Sequence, residues 1–337
     1  MANERDILLV GSIPLRDEAT VFEALGRHLG AAAPRYPDGE TGDRAGWVLW
    51  QAKAFRANPL FERTMVSASG RDWEKFPIKA GVDDAALSFD TLGYAEAAIA
   101  SWETFESLRR DGVIPAGTRF QVSLPTPVAI AQTFADRNQV PPVTAAIARR
   151  LDVELAEIFA AIPHQDLAIQ WDCAIEPVVI AGGMPDLVGG MRDHFLASVP
   201  ALIDRVPARA EVGVHFCYGD PGHKHIIEPV DLGICVDLAN ETVRRAGRPI
   251  DWIHMPVPRE RDDDAYFAPL ADLELPEATR LYLGLVHLTD GVEGTKRRIA
   301  AASRYQADFG IGTECGLGRR APETVPALLD IHVAALA

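Results

Sequence analysis

His215 and Cys217 stand two residues apart in the short, otherwise apolar run Gly213-Val214-His215-Phe216-Cys217. On a β-strand, residues two apart project to the same side, so one strand would present an imidazole and a thiol together. Both are zinc donors, and catalytic zinc sites typically combine three protein ligands with one open position. The plainer alternative is a half-buried histidine beside a thiol that packs as a small apolar group. Cys315, in Thr313-Glu314-Cys315-Gly316, ends another strand-like run and would be the third donor if the two strand ends meet. Cys173 directly follows Asp172 and should point the opposite way, while Cys235 lies in a helical pattern; both read as core.

Acidic groups collect at similar places. Asp172 ends an apolar run, where a carboxylate is costly unless it is paired or hydrogen-bonded. It would partner a substrate amine or ring nitrogen, donate a proton, or simply cap a neighbouring loop. Glu40 follows the turn Asp38-Gly39 and would bind a substrate amine or cap a helix starting near Arg44. His287 and Asp290 follow a late apolar run, where either would deliver a proton to a leaving group. His223 and His225 flank Lys224 in a Gly/Pro-rich loop and read as surface residues.

These residues need a frame that brings many strand ends together. Short apolar runs at 7–10, 35–37, 119–124, 168–172, 213–217, 252–256, 282–287 and 309–313 read as eight strands, with amphipathic helical stretches between them. Continuous apolar runs fit parallel strands buried on both faces, and eight strand–helix units predict a (β/α)8 TIM barrel, whose site lies at the carboxyl ends of its strands. A doubly wound open sheet is the alternative, but no Gly-x-Gly-x-x-Gly follows the first strand. The whole chain, 1–337, reads as one barrel, with 41–117 as an inserted helical and hairpin elaboration after the second strand.

Composition narrows the function classes. A formal net charge of -15 argues against nucleic acid, because phosphate binding needs a basic face. No run of 18 apolar residues suggests a membrane span. The polar start lacks a signal-like segment, so a cytoplasmic protein with reduced thiols is expected. The expected partner is a small-molecule substrate, with a homodimer suggested only by analogy of fold.

Several stretches carry a family resemblance: Val10-Gly11-Ser12-Ile13-Pro14, Asp38-Gly39-Glu40, Gln170-Trp171-Asp172, His215-Phe216-Cys217-Tyr218 and Glu314-Cys315-Gly316-Leu317-Gly318-Arg319. In these the chain resembles the catalytic half of cobalamin-independent methionine synthase. More broadly it is similar to the barrel superfamily that also holds epoxyalkane:coenzyme M transferase and uroporphyrinogen decarboxylase. The resemblance implies that His215, Cys217 and Cys315 are zinc ligands and that zinc activates a substrate thiol. It also implies that Ser12, Glu40 and Asp172 contact substrate, joined by Tyr218 from the same motif, with a folate-type compound as methyl donor.

The sequence departs from that pattern in several places. The synthases' fourth ligand, a glutamate at the end of the sixth strand, falls near Pro256; His254 or Glu314 would have to replace it. The acidic pair of the fourth strand reads Asp172-Cys173, and the Thr-Gly-Pro turn of the folate pocket reads Leu124-Pro125-Thr126-Pro127. One barrel is expected where the synthases have two. The expectation is therefore a zinc-dependent methyl- or alkyltransferase acting on a thiol, other than a conventional methionine synthase. The alternatives are a lyase, decarboxylase or C–O/C–S cleaving enzyme using the same mouth, and a non-enzymatic barrel that binds a metabolite or metal.

Overall fold

The computed structural model describes residues 5–68, 71–219 and 224–337. Eight parallel strands form the barrel: β1 (Ile7–Leu8), β2 (Arg35–Pro37), β3 (Arg119–Pro125), β4 (Leu167–Cys173), β5 (Glu211–Phe216), β6 (Trp252–Pro256), β7 (Arg280–Val286) and β8 (Gly310–Thr313). β2 through β8 pair consecutively and β8 pairs with β1. The last seam, between β1 and β2, is narrow because β1 is only two residues long. A parallel bridge between Ser12 and Gly39 joins it, with the Ile13 amide donating to the Gly39 carbonyl at 2.7 Å. The result is a nearly closed (β/α)8 barrel, as the strand–helix alternation predicts.

Helices cover the outside. Glu18–His28 follows β1, Tyr94–Arg110 follows β2, Val140–Ala161 follows β3 and Met191–Asp204 follows β4. Gly233–Arg245, Gly291–Ala302 and Val325–Leu336 follow β5, β7 and β8. The helix after β6 is shorter, Asp264–Phe267, with a 3-10 turn at Ala268–Asp272. Local chemistry starts these helices where the strands need them. Asp17 caps Glu18–His28, its carboxylate accepting the Thr20 amide at 2.9 Å. The buried Glu154 carboxylate accepts the amides of Leu92, Gly93, Tyr94 and Ala95, satisfying the orphan donors at the start of Tyr94–Arg110.

Between β2 and Tyr94–Arg110 lie the 3-10 run Gly42–Gln51, the short helix Ala52–Ala57 and an antiparallel hairpin of Thr64–Ala68 with Arg71–Lys75. Tyr94–Arg110 itself is the crossover helix leading to β3 and packs on Glu18–His28.

The barrel is filled, not hollow. At its amino-terminal end Leu8, Ala168, Trp252 and Tyr282 form a separate apolar cluster, and the Arg35 guanidinium lies 4.1 Å over the Trp252 ring. Gly213 makes this possible: a Cβ there would lie 2.0 Å from the Trp252 ring. One layer higher, Gln121 and Gln170 donate to backbone carbonyls of Leu9 and Val10. Among the described residues no helix is long and apolar enough to cross a membrane.

Candidate metal centre

β5 alternates as its sequence implies. Phe216 faces outward, its ring 6.0 Å from that of Phe195 in the covering helix, while His215 points into the barrel and is almost wholly buried. The strand then ends, and the Cys217 amide donates to the Cys173 carbonyl at 3.1 Å. Cys217 thereby stays on the His215 side of the sheet.

Cys315 arrives from the opposite edge. It sits just past β8 in a tight turn tied to β1: the Leu317 amide donates to the Ser12 carbonyl at 2.6 Å and the Gly318 amide to Ser12 Oγ at 3.2 Å. A Cβ at Gly316 would stand 2.3 Å from Ser12 Oγ, so the turn closes only because glycine follows the cysteine. The Thr313 hydroxyl also donates to the Cys315 carbonyl at 2.7 Å.

One donor atom each of His215, Cys217 and Cys315 lie within 4.8 Å of one another, and the two sulfurs are 3.6 Å apart. Two thiolates sharing a tetrahedral zinc at about 2.3 Å each would stand about 3.8 Å apart. The donor set and its spacing therefore fit zinc. His215 Nδ1 meets His254 Nδ1 at 2.7 Å, leaving Nε2 as the ring nitrogen available to the sulfurs. Burial, reinforced by His254, holds the His215 pKa well below its ordinary value, so the imidazole is neutral and able to ligate.

Neither expected fourth ligand joins this group. His254 stands in register with His215 on the next strand, with its Nδ1 turned to His215 as above. Glu314 lies 3.6 Å from His225 Nε2. His225 itself corrects the surface reading: its side chain is 4% exposed, hydrogen-bonded to Glu228 at 3.0 Å and edge-on to Tyr218. The chain after β5 folds back over the barrel top, which a local polar pattern does not reveal. His223 and Asp220, in the same connection, lie outside the described residues.

The carboxyl groups gather beside the sulfurs. Asp172 is nearly buried and accepts from the Gln170 amide at 2.9 Å. Burial pushes its pKa well above the carboxylate range, and the neighbouring Cys315 and Glu176 add to the rise, against hydrogen bonds from Gln170 and Trp47. Glu40 is pushed up to about 8, first by burial and then by Asp172 and Asp38, partly offset by Arg44 and Arg319. Two non-glycine residues here have positive φ, Glu40 at 47° and Trp47 at 57°. Such strain persists where surrounding structure enforces it and clusters at functional sites.

The remaining expected residues are placed differently. Tyr218 is completely buried and its hydroxyl lies against the Cys235 thiol at 3.7 Å. His287 is nearly buried, its Nε2 donating to the Val257 carbonyl at 2.9 Å, and burial pushes its pKa down to about 3. Asp290 is held by both guanidinium nitrogens of the fully buried Arg298, at 2.7 and 2.9 Å. Burial raises the Asp290 pKa, but these bonds outweigh it and leave the carboxylate ionised. Both groups are thus engaged in holding the β7 connection. Ser12 serves the seam and the Cys315 turn. Cys173 and Cys235 are wholly buried.

Three neighbours were not singled out from the sequence. Trp47 reaches Asp172 from the connection after β2. Arg319 Nη2 lies 3.8 Å from Cys315 Sγ. Glu176 is fully buried just past β4, and burial pushes its carboxyl up to about 7. Only Glu176, an acid four residues beyond Asp172, left a local signal.

No family model and no curated protein matches the chain by sequence. Solved structures do match by fold. A B12-independent methionine synthase from Shewanella sp. W3-18-1, solved in complex with selenomethionine, superposes with a TM-score of 0.55 at 17% identity, over 82% of this chain and 73% of that one. A Listeria monocytogenes protein assigned as a vitamin-B12-independent methionine synthase gives 0.55 at 14% identity, over 99% of this chain and 98% of that one. The chain therefore has a methionine-synthase-like barrel fold.

Proposed function

We propose that this protein is a zinc-dependent methyl- or alkyltransferase acting on the sulfur of a small thiol. The observation that carries the reading is the meeting of His215, Cys217 and Cys315 from opposite edges of the barrel mouth, with two sulfurs 3.6 Å apart. Zinc held there would lower the pKa of a substrate thiol and make its thiolate available near neutral pH. Asp172 and Glu40, whose carboxyls burial pushes upward, would hydrogen-bond polar groups of the substrate and fix its orientation. The Ser12-anchored turn holds Cys315 still, and the packed layer beneath excludes water from below.

The test has two parts. Metal content per chain is measured on tag-free protein purified under reducing conditions, beside Cys217→Ser. Near-stoichiometric zinc that the variant loses is the expected result. Homocysteine with methylated donors, and coenzyme M with epoxides, are then followed by mass spectrometry for thioether. Zinc-loaded protein that forms no thioether with any of them overturns the transferase reading. The lyase reading draws on the carboxyl groups of Asp172 and Glu40, which need no sulfur to act. Substrate cleavage that survives Cys315→Ser would favour it.

A further inference from the structure

We infer that His254 is a positioning residue for the metal site: it accepts a hydrogen bond from His215 and thereby aims the other ring nitrogen of His215 at the two cysteines. The inference rests on the zinc reading above and adds to it a residue that does not itself touch the metal.

The argument begins with strand register. His215 of β5 and His254 of β6 are directly paired across the parallel ladder, so both project inward at the same level. Their Nδ1 atoms are 2.7 Å apart, with ring centroids 4.8 Å apart. Two nitrogens at that distance share one proton: one ring donates from Nδ1 and the other accepts at Nδ1. His215 can offer a lone pair at Nε2 only if its own proton is on Nδ1. The ligand histidine is therefore the donor, His254 is the acceptor, and His254 carries its proton on Nε2.

That second proton also has a direction. His254 Nε2 faces the backbone of Thr313 in β8, without completing a hydrogen bond of good geometry, and lies 3.6 Å from where a Cβ on Gly312 would be. Thr313 is two residues before Cys315, and its hydroxyl holds the Cys315 carbonyl. His254 thus stands between the strand that supplies His215 and the strand that supplies Cys315.

Outer partners of this kind fix the tautomer and orientation of a metal-bound histidine, and their loss typically costs 10- to 100-fold in affinity. An imidazole acceptor is unusual in the role, since carboxylates and backbone carbonyls are the common partners. His254 is itself completely buried.

The experiment compares wild type, His254→Phe and His254→Asn as full-length protein. Phenylalanine keeps the ring and removes the acceptor; asparagine restores an acceptor near Nδ1. Zinc affinity is measured by competition with a chromogenic chelator, and cobalt(II) spectra report the coordination geometry. Thermal unfolding of each metal-free protein reports folding. The expected result is a 10- to 100-fold weaker zinc affinity and altered cobalt bands in His254→Phe, largely restored in His254→Asn. Wild-type affinity in a folded His254→Phe overturns the inference while leaving the zinc site intact. Equal losses in both variants, tracking a loss of metal-free stability, overturn it in favour of a packing role. A wild-type protein that binds no zinc overturns the site and the inference together, and the Cys217→Ser comparison distinguishes that case.

Discussion

The two ends of the barrel interior are built on opposite rules. At the amino-terminal end the inner charges are matched. Arg35 is bound to Glu211 at 2.6 Å and to the Tyr282 hydroxyl at 3.2 Å, and lies flat on Trp252. Asp6 accepts from Arg280 at 3.0 Å and from the Tyr282 hydroxyl. At the mouth, by contrast, two thiols face one another and two carboxyl groups are crowded together with raised pKa values. The same buried setting that makes a matched ion group tolerable makes these groups costly. The difference teaches where buried charge is matched by opposite charge and where burial instead holds neutral-leaning groups side by side.

The comparison can be broken most forcefully from below. Arg35→Leu removes a buried charge from a network whose members are arranged around it. Breaking such a pair typically costs about 3–5 kcal/mol, and a loss near the lower figure is expected because Arg119 still pairs with Glu211 at 2.9 Å. Urea unfolding checks it, with zinc content per folded chain unchanged. A loss below about 1 kcal/mol would mean that the lower end is not the stabilising one.

A smaller effect of the opposite sign is expected at the mouth. The folded-state pKa of Glu40 is raised from 4.5 to about 8, so the folded protein retains a proton that the unfolded chain has lost. Wild-type stability should therefore fall as pH rises through that window, by no more than about 1.4 kcal/mol per unit. Glu40→Gln has no such titration and should gain on wild type as pH rises, by about 2 kcal/mol at pH 8 after solvent screening at the half-open mouth. Urea unfolding of metal-free protein at pH 5 and pH 8 measures it. An advantage that does not grow with pH would show that the carboxyl is ionised in the folded state.

The contrast also explains what the sequence made legible. The eight strands were readable because parallel strands buried on both faces are short, continuous and apolar, and β4 is buried along its full length from Leu167 to Cys173. Alternation along β5 was enough to put His215 and Cys217 on one side. The partners of the site were not readable, because they depend on which strand lies beside which and at what register. His254 meets His215 only through the β5–β6 ladder, Trp47 reaches Asp172 from the connection after β2, with β3 between them in sequence, and the His225 side chain is covered by packing against Tyr218. Tyr218 came from the resemblance, and its place against the Cys235 thiol depends on packing that spacing does not show.

The smallest expected effect tests whether the mouth is held as firmly as its chemistry requires. Gly316→Ala would place a Cβ 2.3 Å from Ser12 Oγ and 3.4 Å from Ser12 Cβ, with the Ser12 amide nitrogen at 3.2 Å. The hydroxyl is therefore the atom that must move, and the Gly318 amide it accepts would lose its partner. Overpacking of this kind typically costs about 1–3 kcal/mol, and the lower value is expected because the obstructing atom is a single side-chain hydroxyl. In a Ser12→Ala background the obstructing oxygen is gone, so adding Gly316→Ala should cost about 0.5–1 kcal/mol less than it does alone. A double-mutant cycle of unfolding free energies, with zinc affinity measured beside it, supplies the coupling. Strictly additive costs would show that the Cys315 turn is not seated on Ser12, and that the upper end of the barrel tolerates a looseness the lower end does not.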